Sequence, residues 1–113
     1  MSDNLPVLDQ QVLNAMKTDL GGETVAFLLE KLKGEIQSSE GELQAFAAGG
    51  DMPGLENKAH GLKSAVRSFG GMRLGDLCRA LEEEAKSSAN SDVIDVLLAQ
   101  YKSIAESTIA SFQ

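Results

Sequence analysis

Apolar residues in this chain recur every three or four positions, in stretches set apart by short glycine- or serine-rich breaks. That period belongs to amphipathic α-helices and does not fit the strict alternation of a half-buried strand. Gly21-Gly22, Gly49-Gly50 and Gly70-Gly71 are three of the breaks, and Ser-Ser-Ala-Asn-Ser at 87–91 is a fourth. They cut the chain into five segments. The first, about 9–20, carries Val12, Leu13, Met16 and Leu20 at helical spacing, with Pro6 and Asp9 suited to its entrance. The second, about 23–47, has one stripe of Val25, Leu28, Leu29, Leu32, Ile36, Leu43 and Phe46, with Gly34 and Gly41 off it. Asp51 as a cap and Pro53 in the first turn open the third, about 53–69, whose stripe is Leu55, Ala59, Leu62, Val66 and Phe69. The fourth, about 72–86, turns Leu74, Leu77, Cys78 and Leu81 inward. The fifth, about 92–112, lines one side with Val93, Leu97, Tyr101, Ile104, Thr108 and Phe112, broadened by Ile94, Leu98, Ala105 and Ile109. Ser91 and Asp92 suit its start, where negative charge meets the positive end of the helix dipole.

Four long amphipathic helices joined by short connections predict an all-α, antiparallel up-down four-helix bundle. The short first helix would pack across one end as a lid. The 113 residues make a single domain. Aromatics are 4% of the chain, with no Trp, which fits Leu- and Ala-rich helices better than a β-sandwich.

Charge and composition remove several functions. Ten basic against seventeen acidic residues give a net charge of −7. That argues against a nucleic-acid binder, which needs a basic face, and against binding anionic membranes. One Cys and one His make neither a disulfide nor a Cys/His zinc site. No apolar run approaches the roughly 20 residues that span a bilayer. The opening Met-Ser-Asp-Asn lacks the basic and apolar regions of a signal peptide, so a free-standing cytoplasmic domain is expected. Glu82-Glu83-Glu84 occupy consecutive helix positions, which cannot converge on one ion, and read as a solvated face.

The one histidine stands apart. At 100° per residue, His60 lies about 140° from the centre of the third helix's stripe and points outward. Lys63, Ser64 and Arg67 follow at i+3, i+4 and i+7 on the same face, and Gly61 is next in sequence. Taken singly, each is an ordinary surface residue. Together they describe an open imidazole with two cations and small neighbours. A neutral imidazole is a good nitrogen nucleophile near pH 7, and nearby cations steady the oxygens of a transferring phosphoryl group. The chain has no P-loop and no kinase signature, so it suits holding a phosphoryl group rather than drawing one from ATP.

The stretch Ala59–Glu82, AHGLKSAVRSFGGMRLGDLCRALE, resembles the histidine-containing phosphotransfer (HPt) family of two-component phosphorelays. That family is typified by Ala-His-x-Leu-Lys-Gly, a glycine ten residues after the His, then Leu, Leu-Cys and Leu-Glu. Here these are Ala59, His60, Leu62, Lys63, Gly70, Leu74, Leu77, Cys78, Leu81 and Glu82. The pattern departs at Ser64, where the family usually carries Gly; serine is the next smallest polar residue. The resemblance implies that His60 is the phospho-acceptor, through Nε2, and that Lys63 neutralises the phosphoryl oxygens. Arg67 would assist. Gly61 and Ser64 would keep the surface low for a receiver domain. Mg²⁺ would belong to that receiver, with no cofactor on this chain. Partners would be response-regulator receiver domains and a hybrid histidine kinase, and the chain would be a monomer. Cys78 falls on an apolar stripe and reads as a buried small hydrophobe; the contact made by Glu82 is left open.

Two other readings compete. A non-catalytic helical binding module would carry His60 incidentally. The dimerisation domain of a sensor kinase also sets a His on a helical bundle, but it needs two chains for four helices.

Overall fold

The structure, a computed structural model, describes residues 4–112. Met1, Ser2 and Asp3, which enter the signal-peptide reading, lie outside the described residues, as does Gln113. Five helices follow one another: α1 (Gln10–Leu20), α2 (Gly22–Ala48), α3 (Met52–Ser68), α4 (Met72–Lys86) and α5 (Ser91–Ser111). The sequence sets most of their ends. Asp9 accepts a hydrogen bond from the Gln11 N–H, and Asp51 accepts one from Gly54 N–H with Pro53 in the first turn. At α5 the cap is Asn90, whose side-chain oxygen takes both the Asp92 and Val93 N–H groups. Ser91, read above as the opening residue, is already in the first turn.

The four long helices alternate in direction and close into a ring in which α2 packs on α3 and α5, and α4 on α3 and α5. Leu29, Leu32, Ile36 and Leu43 meet Leu55, Leu62 and Val66, Leu74, Cys78 and Leu81, and Ile94, Leu98 and Tyr101 in one core. The expected α5 stripe is buried at Leu97, Tyr101, Thr108 and Phe112, and departs from the expectation at its first residue. Val93 is 41% exposed, and the centre runs through Ile94, Leu98, Tyr101, Ala105 and Thr108. A helix wedged between two neighbours buries the flanks nearest both, and Val93 falls on the outer edge. Buried polar groups are matched: Tyr101 donates to the Ile36 carbonyl at 2.7 Å and Thr108 to the Ile104 carbonyl at 2.7 Å.

The first segment clamps one end. Helix α1 buries Leu13 and packs on α2, and the strand-like 7–9 stretch lies against the α3–α4 turn. Leu8 pairs antiparallel with Gly71; Asp9 N–H donates to the Gly70 carbonyl at 2.7 Å, and Met72 N–H to the Val7 carbonyl at 3.1 Å. Arg73 adds two hydrogen bonds to the Leu5 carbonyl. The turn itself is a Schellman motif: Gly71 N–H returns to the Val66 carbonyl and Gly70 N–H to that of Arg67, with Gly70 at φ 89°. It fixes how α3 and α4 lie side by side, and so what faces His60.

Candidate functional site: a paired histidine on the α3–α4 face

Helix α3 buries Leu55, Ala59, Leu62 and Val66 and turns its other side to solvent. His60 stands on that side, midway along, with its side chain 59% exposed. It is not alone there. Glu82, reaching across from α4, places Oε2 2.7 Å from His60 Nδ1 and Oε1 2.6 Å from Lys63 Nζ. One carboxylate therefore bridges the histidine and the lysine one turn below it.

This corrects the reading of Glu82 as part of a solvated acidic face. Its side chain is only 13% exposed, sunk between two helices, whereas Glu83 points outward and pairs with Arg79. The hydrogen bond from Lys63, helped by His60 and opposed by partial burial, holds the Glu82 carboxyl below the usual carboxylate range. In a neutral imidazole, a carboxylate at Nδ1 retains the proton there and leaves the lone pair on Nε2. The ring edge away from Glu82 is thus the nucleophilic one.

The other motif residues divide into surface and core. Gly61 and Ser64 are exposed, and a Cβ added at Gly61 would meet nothing within 4 Å, so the ground beside His60 is low. Ala59, Leu62, Leu74, Leu77, Cys78 and Leu81 are buried. Burial pushes the Cys78 thiol up to about 12, only partly offset by the positive charge of Arg67. Arg67 is on the exposed face, but its stem lies sideways over Gly75 of α4, whose missing Cβ would stand 2.6 Å from Arg67 Cγ. Gly70 sits in the turn. Gly75 was not singled out in the sequence, though a geometric signal existed. In an antiparallel hairpin, positions equidistant from the turn face each other. Counting from Gly71, eleven residues either way reach His60 and Glu82, and four either way reach Arg67 and Gly75.

Among the described residues no three His, Cys, Asp or Glu side chains gather as metal ligands, and no helix is long and apolar enough to cross a membrane. Residues 10–107 match the sequence profile of the Hpt domain. The chain belongs to the Hpt domain family. Within the curated relatives, this Hpt domain is 32% identical over 85 residues to the phosphorelay protein LuxU of Vibrio harveyi, covering 75% of each chain. Its fold matches the crystal structure of histidine-containing phosphotransfer protein B (HptB) from Pseudomonas aeruginosa PAO1 with a TM-score of 0.88. That match covers 96% of this chain and 93% of the other at 23% identity. The Hpt domain closes its four-helix ring within one chain, which a sensor-kinase dimerisation domain does not do.

The bridge has a measurable consequence. A carboxyl whose folded pKa is depressed stabilises the protein at pH values above its unfolded pKa, and that contribution is lost as pH falls through the folded value. Glu82→Gln cannot titrate. The stability difference between wild type and Glu82→Gln, read as urea midpoints, should therefore be largest near neutrality. It should shrink as pH drops through and below about 4. A difference that stays constant from pH 7 to pH 3 would show that the bridge contributes nothing electrostatic.

Proposed function

We propose that this Hpt domain carries a phosphoryl group on His60 Nε2, taking it from a receiver-domain aspartyl phosphate and returning it to a receiver aspartate. The observation that carries this reading is the orientation of the ring: Nδ1 bound to Glu82 at 2.7 Å and the opposite edge open to solvent. The Nε2 lone pair attacks phosphorus, the P–O bond to the donor carboxyl breaks, and the aspartate leaves as carboxylate. The ring becomes a phospho-imidazolium with its proton on Nδ1. Glu82 faces that proton and supports the positive charge as it forms. Lys63, one helical turn away and sharing Glu82, supplies positive charge for the phosphoryl oxygens. Gly61 and Ser64 leave room for the receiver to approach in line.

The receiver supplies Mg²⁺ and the acceptor aspartate; this chain supplies the nucleophile, and a hybrid histidine kinase stands upstream. The reading places the chain in the cytoplasm with those partners. Incubation with a receiver domain pre-phosphorylated by acetyl phosphate tests it. Label should move onto this chain, prove labile in acid and stable in alkali as a P–N bond is, and map to the peptide containing His60. Label that is stable in acid, or that maps elsewhere, would overturn the assignment.

A further inference from the structure

Arg67 is an arginine held in place with nothing to hold. Each other arginine is engaged: Arg73 donates twice to the Leu5 carbonyl, and Arg79 pairs with Asp76 and Glu83. The cations nearest His60 in sequence are engaged too, Lys63 with Glu82 and Lys58 with Glu35 and Glu42. Among the described residues no acceptor meets the Arg67 guanidinium, although the chain carries seventeen acidic residues. The side chain is nonetheless not free to wander. Gly75, a buried glycine inside α4, leaves a notch into which the stem fits; a Cβ there would stand 2.6 Å from Cγ, 3.0 Å from Nε and 3.3 Å from Cδ. A glycine inside a helix is unfavourable relative to alanine. Here it lets a long side chain lie flat along the surface with part of its rotamer freedom already removed.

We propose that Arg67, seated over Gly75, is the docking cation that pairs with a carboxylate on the receiver domain as that domain settles over His60. The proposal rests on the phosphotransfer reading. Position decides against a role on the phosphoryl group itself. Seven helical residues separate Arg67 from His60, about 10 Å along the axis, and the stem turns across to α4. Lys63 is one turn from His60 and already faces it through Glu82. Charge decides the partner group. A chain of net charge −7 repels acidic groups on a partner unless cations meet them at the contact, and Arg67 is a pre-positioned cation on the His60 face with no acceptor among the described residues. An arginine fork recognises a carboxylate with two parallel hydrogen bonds, which lysine cannot reproduce.

The test measures transfer from a phosphorylated receiver domain that labels the wild-type chain, with receiver concentration varied. Arg67→Gln should raise KM about fivefold and Arg67→Glu about thirtyfold, with the change falling in KM and not in the saturating rate. Both effects should shrink at 0.5 M salt, as a screened contact requires. Gly75→Ala keeps the charge and favours the helix but evicts the stem, and should raise KM about threefold; in Arg67→Gln it should add nothing further. A fall in the saturating rate with KM unmoved would make Arg67 a phosphoryl contact and overturn the proposal. So would unchanged kinetics in all three variants. A folded wild-type chain that no receiver labels would overturn the phosphotransfer reading and this proposal together, which distinguishes the two failures.

Discussion

Replacing His60 by glutamine should remove phosphoryl acceptance entirely while leaving the bundle and its docking face intact. The fold depends little on this position, because the side chain is 59% exposed and its polar partner is Glu82; substitutions at exposed sites ordinarily change stability by about 0.5 kcal/mol or less. Glutamine is polar and of comparable length, and its amide can still reach toward Glu82. What it lacks is a nucleophilic lone pair, since the amide nitrogen's electrons are delocalised into the carbonyl. Transfer should therefore fall at least about a thousandfold, to the background of the assay. The thermal midpoint should move by no more than a degree or two. The informative second reading is competition. Added in excess, His60→Gln should slow labelling of wild type, because it still occupies the phosphorylated receiver. A His60→Gln chain that accepts label at even a tenth of the wild-type rate would place the acceptor elsewhere.

The largest effect on stability is expected away from the site, at Gly70→Ala. Gly70 adopts φ 89°, where an L-residue is disfavoured by about 1–2 kcal/mol. The added methyl would stand 2.6 Å from the Asp9 carbonyl oxygen and 3.2 Å from Leu8 Cδ1. The oxygen belongs to backbone that is itself fixed by the Asp9 N–H to Gly70 carbonyl bond. Relief therefore means lifting the 7–9 stretch off the turn, with loss of that bond and of the bond from Met72 N–H to the Val7 carbonyl. A total near 3 kcal/mol, and a fall in Tm of roughly 10 °C, is the expected result. Gly61→Ala is the matched control. It sits inside α3 with nothing within 4 Å of the new methyl, so it should raise stability by up to about 1 kcal/mol. A cost for Gly70→Ala no larger than the roughly 1–2 kcal/mol that its positive φ alone exacts would mean that the clamp at the α3–α4 turn carries no weight.

The architecture was legible because each helix announces itself twice, through its stripe and through its ends. Asp9 and Asp51 cap α1 and α3, and Gly70-Gly71 closes α3 in the left-handed turn that glycine favours. Rotation of a helix about its own axis was less legible. In α5, Val93 and Ile94 are both β-branched and apolar, one residue apart, and only the placement of α2 and α4 on either side decides which is buried. The site divides the same way. His60, Lys63, Ser64 and Arg67 lie on one helix, so spacing alone puts them on one face. Glu82 and Gly75 belong to a different helix, and their meaning exists only across the interface. Three glutamates in a row disguised the one that turns inward, and Gly75 looked like any small helical residue.

Every group assigned a part in the chemistry or its approach, from His60 to Glu82, lies within one helical hairpin with a three-residue turn. Its two arms need close only a short loop to bring the histidine to its carboxylate, a small entropic demand compared with joining distant segments. Among the contacts that join two helices, those that ready the imidazole are short in sequence, written in 23 consecutive residues, and shorter than the Tyr101–Ile36 bond that ties α5 to α2. Helices α1, α2 and α5 then serve as masonry: they bury the hairpin's apolar side and hold its register. Their outward faces, the exposed Val93 and Val96 of α5 among them, lie outside the hairpin that holds the chemistry.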